Sequence, residues 1–255
     1  GIRCAGGFAG EMINGGVANL GSLDILGLTL DLGQRLCVLN VFVPVIKQSS
    51  VEGYQSGLMV QSNGIKDKDL VGYAGGYVGK LIGGQIWGEE NSRCKVTKLR
   101  RVDGSTYVGG FVGSSRPGSV ATVDPVRGEG LFLSKLLEKI LDTPTDLIKV
   151  LNATVATIQY ADVESWNPWG IIINGAQSTG EANTSYAKAA GGFAGSISGT
   201  VLGKKKDGEN AGVSAKGIRS VIGGEYAGGC FGIADVDAGV KVSDKNETQL
   251  LKYLL

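Results

Sequence analysis

Two aspartates one residue apart, Asp235 and Asp237 in "DVDAG", have the D-x-D-x-G spacing that opens a calcium loop, where carboxylates converge on a hard cation. The distal glutamate that completes an EF-hand is missing, so the preferred reading is a solvated turn between two strands. Trp166 and Trp169, two of the three tryptophans, flank a proline in "ESWNPWG" (164–170). Aromatics on a loop stack on sugar rings or anchor a partner. Tryptophan more often supplies buried area, and the expected role here is to cap one flank of the fold. The chain has no histidine, which removes Ser-His-Asp and Cys-His catalysis and the commonest metal ligand. The four cysteines, Cys4, Cys37, Cys94 and Cys230, are scattered with no C-x-x-C, so neither a zinc ribbon nor a thioredoxin-type site is indicated.

Glycine-rich loops invite a phosphate-binding reading, and the spacing denies it. The P-loop pattern is absent, and the only G-x-G, Gly128-Glu129-Gly130, has Leu133 where a dinucleotide fingerprint needs glycine. No cofactor is implied. The lysine run in "KKKDGEN" (204–210) reads as a solvated loop tip. Sequons at Asn152, Asn183 and Asn246 matter only in a eukaryotic secretory path. With 25 basic and 24 acidic residues, the chain shows none of the basic excess of a nucleic-acid surface. The most apolar run, Cys37 to Ile46, is too short to span a bilayer and contains Pro44. Residue 1 is glycine with no visible signal peptide, so the chain reads as a piece of something longer.

What must position these residues is a repeat. Glycine makes up 43 of 255 residues, about twice its usual share. The pattern G-G-x-x-G occurs five times, and its paired glycines are Gly6-Gly7, Gly75-Gly76, Gly109-Gly110, Gly191-Gly192 and Gly228-Gly229. Successive copies stand 69, 34, 82 and 37 residues apart. The long-short alternation defines a supermodule of roughly 100–120 residues, a period that points to a stacked array. The segments are 1–104, 105–223 and 224–255, the last a truncated third supermodule.

Aligned copies share columns. Two residues before the first glycine stand Cys4, Tyr73, Tyr107, Ala189 and Tyr226; two after it stand Phe8, Tyr77, Phe111, Phe193 and Cys230. The columns between them hold small or aliphatic residues. Read as one strand with alternating faces, the motif is apolar on both sides, and its glycines let a neighbouring backbone or ring sit directly upon it. Cys4 and Cys230 occupy aromatic columns and are expected to be buried. A second strand is expected after each motif, as at Gly84-Gln85-Ile86 and Gly199-Thr200-Val201.

The long spacers differ in kind. Residues 129–152 carry apolar residues at helical spacing, with Thr143-Pro144 as a cap and first-turn proline. Residues 20–46 are a leucine-rich counterpart broken by Gly27 and Gly33. Residues 247–255, "ETQLLKYLL", repeat the leucine pairing of "FLSKLLEKIL" and predict the start of a third helix. The expected fold is mainly β: a β-solenoid, β-helix-like, built from G-G-x-x-G strands with leucine-rich helical insertions on one flank. β-Sandwich repeats are the alternative.

The repeated "GGFVG" and "GGFAG" phrases, each followed by a glycine turn and a Val-rich strand, resemble the glycine-rich GLUG-type repeats of very large bacterial cell-surface proteins. The resemblance implies extracellular display at the bacterial surface or cell wall and a structural or adhesive role, as stalk or adhesion module. The implied partners are further copies of the repeat within a longer chain or filament, and a host glycan or protein. No catalytic residues come with it. Cys230, in place of the motif aromatic, departs from the pattern. Two other readings stand beside this one. A carbohydrate-active β-helix would gather Asp, Arg and Lys by stacking, and a fibre, filament or tailspike-like component would use the same repeat physics.

Overall fold

The computed structural model describes residues 3–14, 43–63, 72–118, 155–166, 168–178, 184–203 and 211–235. Its elements recur in the same order on each pass of the chain. The first pass holds β1 (Cys4–Gly6), β2 (Ala9–Ile13), β3 (Val45–Lys47), β4 (Ser50–Glu52) and β5 (Leu58–Ser62). The second holds β6 (Tyr73–Gly75), β7 (Val78–Ile82), β8 (Gln85–Trp87) and the long β9 (Cys94–Gly104). The third holds β10 (Tyr107–Gly109), β11 (Val112–Arg116), β12 (Thr157–Gln159), β13 (Ala161–Ser165) and β14 (Ile171–Asn174), then a hairpin of β15 (Ala176–Ser178) and β16 (Thr184–Tyr186). The fourth holds β17 (Ala189–Gly191), β18 (Ala194–Ser198), β19 (Val201–Leu202), β20 (Val213–Lys216) and β21 (Ile218–Ile222). A fifth begins with β22 (Tyr226–Gly228) and β23 (Phe231–Asp235).

Apart from the antiparallel β15–β16 hairpin, the strands pair in parallel with their counterparts on neighbouring passes. β1-β6-β10-β17-β22 form one sheet and β2-β7-β11-β18-β23 a second. β3-β8-β12-β19 form a third, and a fourth is built on both halves of β9. The described residues are thus mainly β with parallel sheets, compatible with a β-helix-like or solenoid fold. The parallel pairing is unlike the antiparallel strands of a β-sandwich repeat. Consecutive G-G-x-x-G copies are direct neighbours, with Gly6 opposite Gly75, Gly75 opposite Gly109, Gly109 opposite Gly191 and Gly191 opposite Gly228. A long spacer is therefore one pass with extra chain inserted, and a supermodule is one long pass and one short. The first two sheets run unbroken across positions 104/105 and 223/224.

The motif is not a single strand, which corrects the alternating-face reading. A three-residue strand ends at its first glycine, the second glycine and the aromatic make a corner, and a new strand starts beyond. The chain turns there, so the aromatic points into the core instead of sharing a face with the residue four before it. Tyr77, Phe111 and Phe193 are fully buried, whereas Tyr73 and Tyr107 are only half-buried. With Phe8, which is exposed on the first pass, the buried rings form a ladder. Centroid spacings are 5.1 Å for Phe8–Tyr77, 4.6 Å for Tyr77–Phe111 and 5.0 Å for Phe111–Phe193, with planes within 15° of parallel. Those spacings match the roughly 4.8 Å between paired strands, so in-register pairing alone brings the rings to stacking distance.

Each glycine of the motif has its own reason. A β-carbon on the first (Gly6, Gly75, Gly109, Gly191 or Gly228) would strike the carbonyl of the residue three further on, across the corner. One on the second would strike the carbonyl of its counterpart on the next pass, from Gly7 against Gly76 to Gly192 against Gly229. One on the third (Gly79, Gly113, Gly195 or Gly232) would strike the carbonyl of its counterpart on the pass before. The first glycine serves local geometry and the other two serve stacking.

Three expectations change or fall outside the description. Val45 and Ile46, taken as the end of the leucine-rich insertion 20–46, lie in strand β3 because they pair with Gln85 and Ile86. There is no helix among the described residues, while the rest of that insertion, the 129–152 insertion and residues 247–255 lie outside them. Cys230 is exposed, not buried. In its pass Phe231 turns inward instead and meets Phe193 edge-on at 6.3 Å.

Candidate ligand-contact ridge

The fourth sheet has a corner that each pass negotiates differently. Between β20 and β21 the chain turns on one residue, Gly217, at φ +74°, and β9 bends at Lys98, at φ 55°. The first and third passes carry loops at the same corner, residues 53–57 in one and Trp166 with residues 168–170 in the other, each closing on a glycine in the left-handed region, Gly57 at φ +82° and Gly170 at φ +74°. A side chain at either glycine would be strained, and at Gly57 it would also meet Arg100 and Trp166.

The two loops are tied across the pass between them. The Trp166 indole Nε1 donates to the Gln55 carbonyl at 2.8 Å, and its backbone N–H donates to Leu99 at 2.9 Å. The Arg100 guanidinium lies over the Trp166 ring, 5.7 Å from its centroid. Trp166 therefore lies across this corner with its polar edge satisfied. Trp169 stands out from it, 60 % exposed on the same loop, as Tyr54, at 77 %, is on the other. Arg219 stands beside Gly170 on the fourth pass. The sequence reading singled out Trp166 and Trp169 but missed Tyr54, Arg100 and Arg219. Its one available signal was "GYQSG" (53–57), an aromatic in a glycine-bounded turn like that of "WNPWG".

The charges of this corner are partly matched. Lys98 pairs with Glu52, and Glu164 lies opposite Lys216 in register. Arg100 and Arg219 have no ion pair among the described residues.

The buried carboxylates belong to a different arrangement. Asp162, on β13, accepts from Arg93 Nε at 2.5 Å and Nη2 at 2.9 Å, and from the Ser214 hydroxyl at 2.6 Å. Desolvation pushes its carboxyl up, but the hydrogen bonds from Arg93 and Ser214, with the charges of Arg93 and Lys95, outweigh it and hold the group below its ordinary value. Asp103, on β9, accepts from Arg101 Nε at 2.7 Å and from Asn174 Nδ2 at 2.6 Å. Both carboxylates bond residues of neighbouring passes, tying the stack together. No group of three or more His, Cys, Asp or Glu side chains placed to hold a metal occurs among the described residues. Asp235 ends β23, exposed, with its carbonyl accepting from Gly199, and Asp237 lies outside the described residues. The lysine run 204–210 lies outside them too. Among the described residues no helix is long and apolar enough to cross a membrane.

No protein family, curated protein or solved structure matches the chain.

Proposed function

We propose that this chain is a β-solenoid segment of a large extracellular bacterial surface protein, serving as stalk and adhesion module rather than as a catalyst. The observation that carries the reading is the in-register stacking of five G-G-x-x-G copies, glycine on glycine, from Gly6 to Gly228. A stack of that kind grows by adding passes, each of which contacts only its neighbours, so it makes length from repetition. Its axis is filled by rings and aliphatics, and its buried carboxylates already accept hydrogen bonds from Arg93 and Arg101, which supports a mechanical role for them. The resemblance to GLUG-type repeats supports the surface location, with further copies of the repeat as the nearest partners.

Small-angle scattering on the 255-residue chain and on a tandem fusion of two copies tests the shape. Five stacked passes rise only about 19 Å, so the single chain is expected near the roughly 18 Å radius of gyration of a compact domain of this length, while the fusion is expected to lengthen along one axis at unchanged cross-section. A fusion that scatters as two separate globules on a linker overturns the stalk reading. Protease shaving of intact producing cells tests the location, with release of peptides from this segment expected and full protection counting against surface display.

A further inference from the structure

We infer that the ridge formed by residues 53–57, Trp166 and residues 168–170 binds a carboxylated glycan, with Trp169 as the stacking platform and Arg100 and Arg219 as the carboxylate contacts. The inference rests on the adhesive half of the proposed function and is independent of the stalk half.

Three observations converge on it. The first is that the ridge is built from loops that the fold does not require. The second and fourth passes turn this corner on a single residue, Lys98 or Gly217, so the loops add surface without closing the stack. The second is that the ridge is tied to its neighbours. The Trp166 indole bridges from the third pass to Gln55 on the first, and Gly170 lies beside Arg219 on the fourth. A backbone anchored on both sides loses less entropy when a ligand settles on it. The third is the pairing of exposed aromatics with unmatched cations. Trp169 and Tyr54 present apolar rings to solvent, each with few rotatable bonds. Lys98 pairs with Glu52 and Lys216 only neighbours Glu164 in register, while the two arginines have no carboxylate partner among the described residues. Guanidinium is the side chain suited to bidentate carboxylate recognition, and Arg100 already lies over an indole, which orients its fork.

A ligand that suits this surface has an apolar face for the indole and a planar anion beside it. A pyranose carrying a carboxylate has both. The third-pass loop stands between Arg100 on the second pass and Arg219 on the fourth, because Ile172 pairs with Arg101 on one side and Ser220 on the other. First pass to fourth is three strand spacings, about 14 Å, which fits an oligosaccharide better than a single sugar.

The test is titration calorimetry of the full chain with tetragalacturonate, 3′-sialyllactose and the neutral, carboxyl-reduced counterpart of the first. The first two arms distinguish a uronate from a sialate source of the carboxylate. Saturable binding of at least one acidic sugar is expected, weakened on the order of tenfold or more by Trp169→Ala and by the Arg100→Ala/Arg219→Ala pair. Binding should also weaken as salt rises, since exposed charges are screened within about 8–10 Å at physiological ionic strength. All substituted residues are exposed, and unchanged circular dichroism and melting confirm that the variants fold. No binding by either acidic sugar at millimolar concentration overturns the inference, as do equal binding of the neutral sugar and unchanged binding by the variants. Any of these leaves the stalk reading, tested by scattering, to stand or fall separately.

Discussion

The carbonyl oxygen of Gly192 fills the place where a β-carbon on Gly110 would stand, well inside the 3.0 Å that real β-carbons keep from other atoms. The obstacle is backbone on the next pass, locked by the pairing of its own strand, so it cannot swing aside as a side chain would. Gly110→Val should therefore cost about 1–3 kcal/mol or more through overpacking, read as a lower denaturation midpoint. Gly229 is the internal control. It holds the same position on the last described pass and has nothing within 4 Å of its β-carbon site among the described residues. Gly229→Ala should leave the midpoint nearly unchanged. Equal losses at both positions would show that the motif glycines answer to corner geometry rather than to stacking.

The ring ladder makes a second expectation. Phe111 is fully buried between Tyr77 at 4.6 Å and Phe193 at 5.0 Å. Phe111→Ala should cost about 3–5 kcal/mol, the range for removing a core aromatic. Phe111→Leu keeps most of the volume and should cost clearly less, the remainder reflecting the two ring contacts, worth about 0.5–1.5 kcal/mol each. Equal costs for the two variants, measured by urea unfolding, would assign the ladder no role beyond its volume.

The five-fold glycine motif made the stacking legible in the sequence, because columns that match across copies become neighbours in parallel register. The corner inside the motif was not legible. Strand alternation and a strand-corner-strand place different residues in the core, and nothing in "YVGGFVG" distinguishes them until the Gly110 carbonyl is seen against Gly76. The spacing arithmetic registered the inserted segments as a longer period, whereas pairing shows one pass per motif. At the ridge, Trp166 and Trp169 were visible as types, but their divergence was not. It depends on Gln55, 111 residues away, offering a carbonyl to one indole. Arg100 and Arg219 lie in ordinary strand sequence and join the ridge only through the register of β9, β14 and β21.

The thiols separate cleanly. Cys94 is fully buried at the start of β9, under the core that includes Tyr77, whereas Cys230 is exposed on the last described pass. A thiol reagent acts on accessible thiolate, so native Cys230 should react, faster as pH rises because partial burial holds its thiol above the ordinary value, and native Cys94 should wait for unfolding. Comparing Cys230→Ala with Cys94→Ala isolates each. The first should remove one rapidly labelled thiol and the second none. Loss of a rapid thiol in Cys94→Ala would mean that the stack opens at β9 under native conditions.

Asp162 and Arg93 carry the pH dependence that can be argued with a definite sign. The carboxylate is 7 % exposed and its acceptors are met by Arg93 and Ser214, so its folded-state pKa lies below the unfolded value of about 4. A depressed pKa means that the folded state favours the charged form. The pair's contribution is then fully present above the unfolded pKa and is lost as pH falls through the folded one. Asp162→Asn keeps the shape, removes the charge and leaves the Arg93 guanidinium without its carboxylate. At pH 7 this should cost about 1.5–3 kcal/mol, the range for hydrogen bonds to a charged group. The deficit should begin to shrink as pH drops below about 4, where the unfolded carboxyl takes up its proton, and should vanish only below the lower folded-state pKa, where the folded carboxyl is protonated as well. Raising salt should change the deficit little, since a pair this poorly exposed on the acid side is weakly screened. Unfolding midpoints for both proteins at pH 7, 5 and 3, at constant ionic strength, give the comparison. A deficit that stays constant across that range would mean that Asp162 holds its neighbours by shape and neutral hydrogen bonds, with its charge contributing nothing.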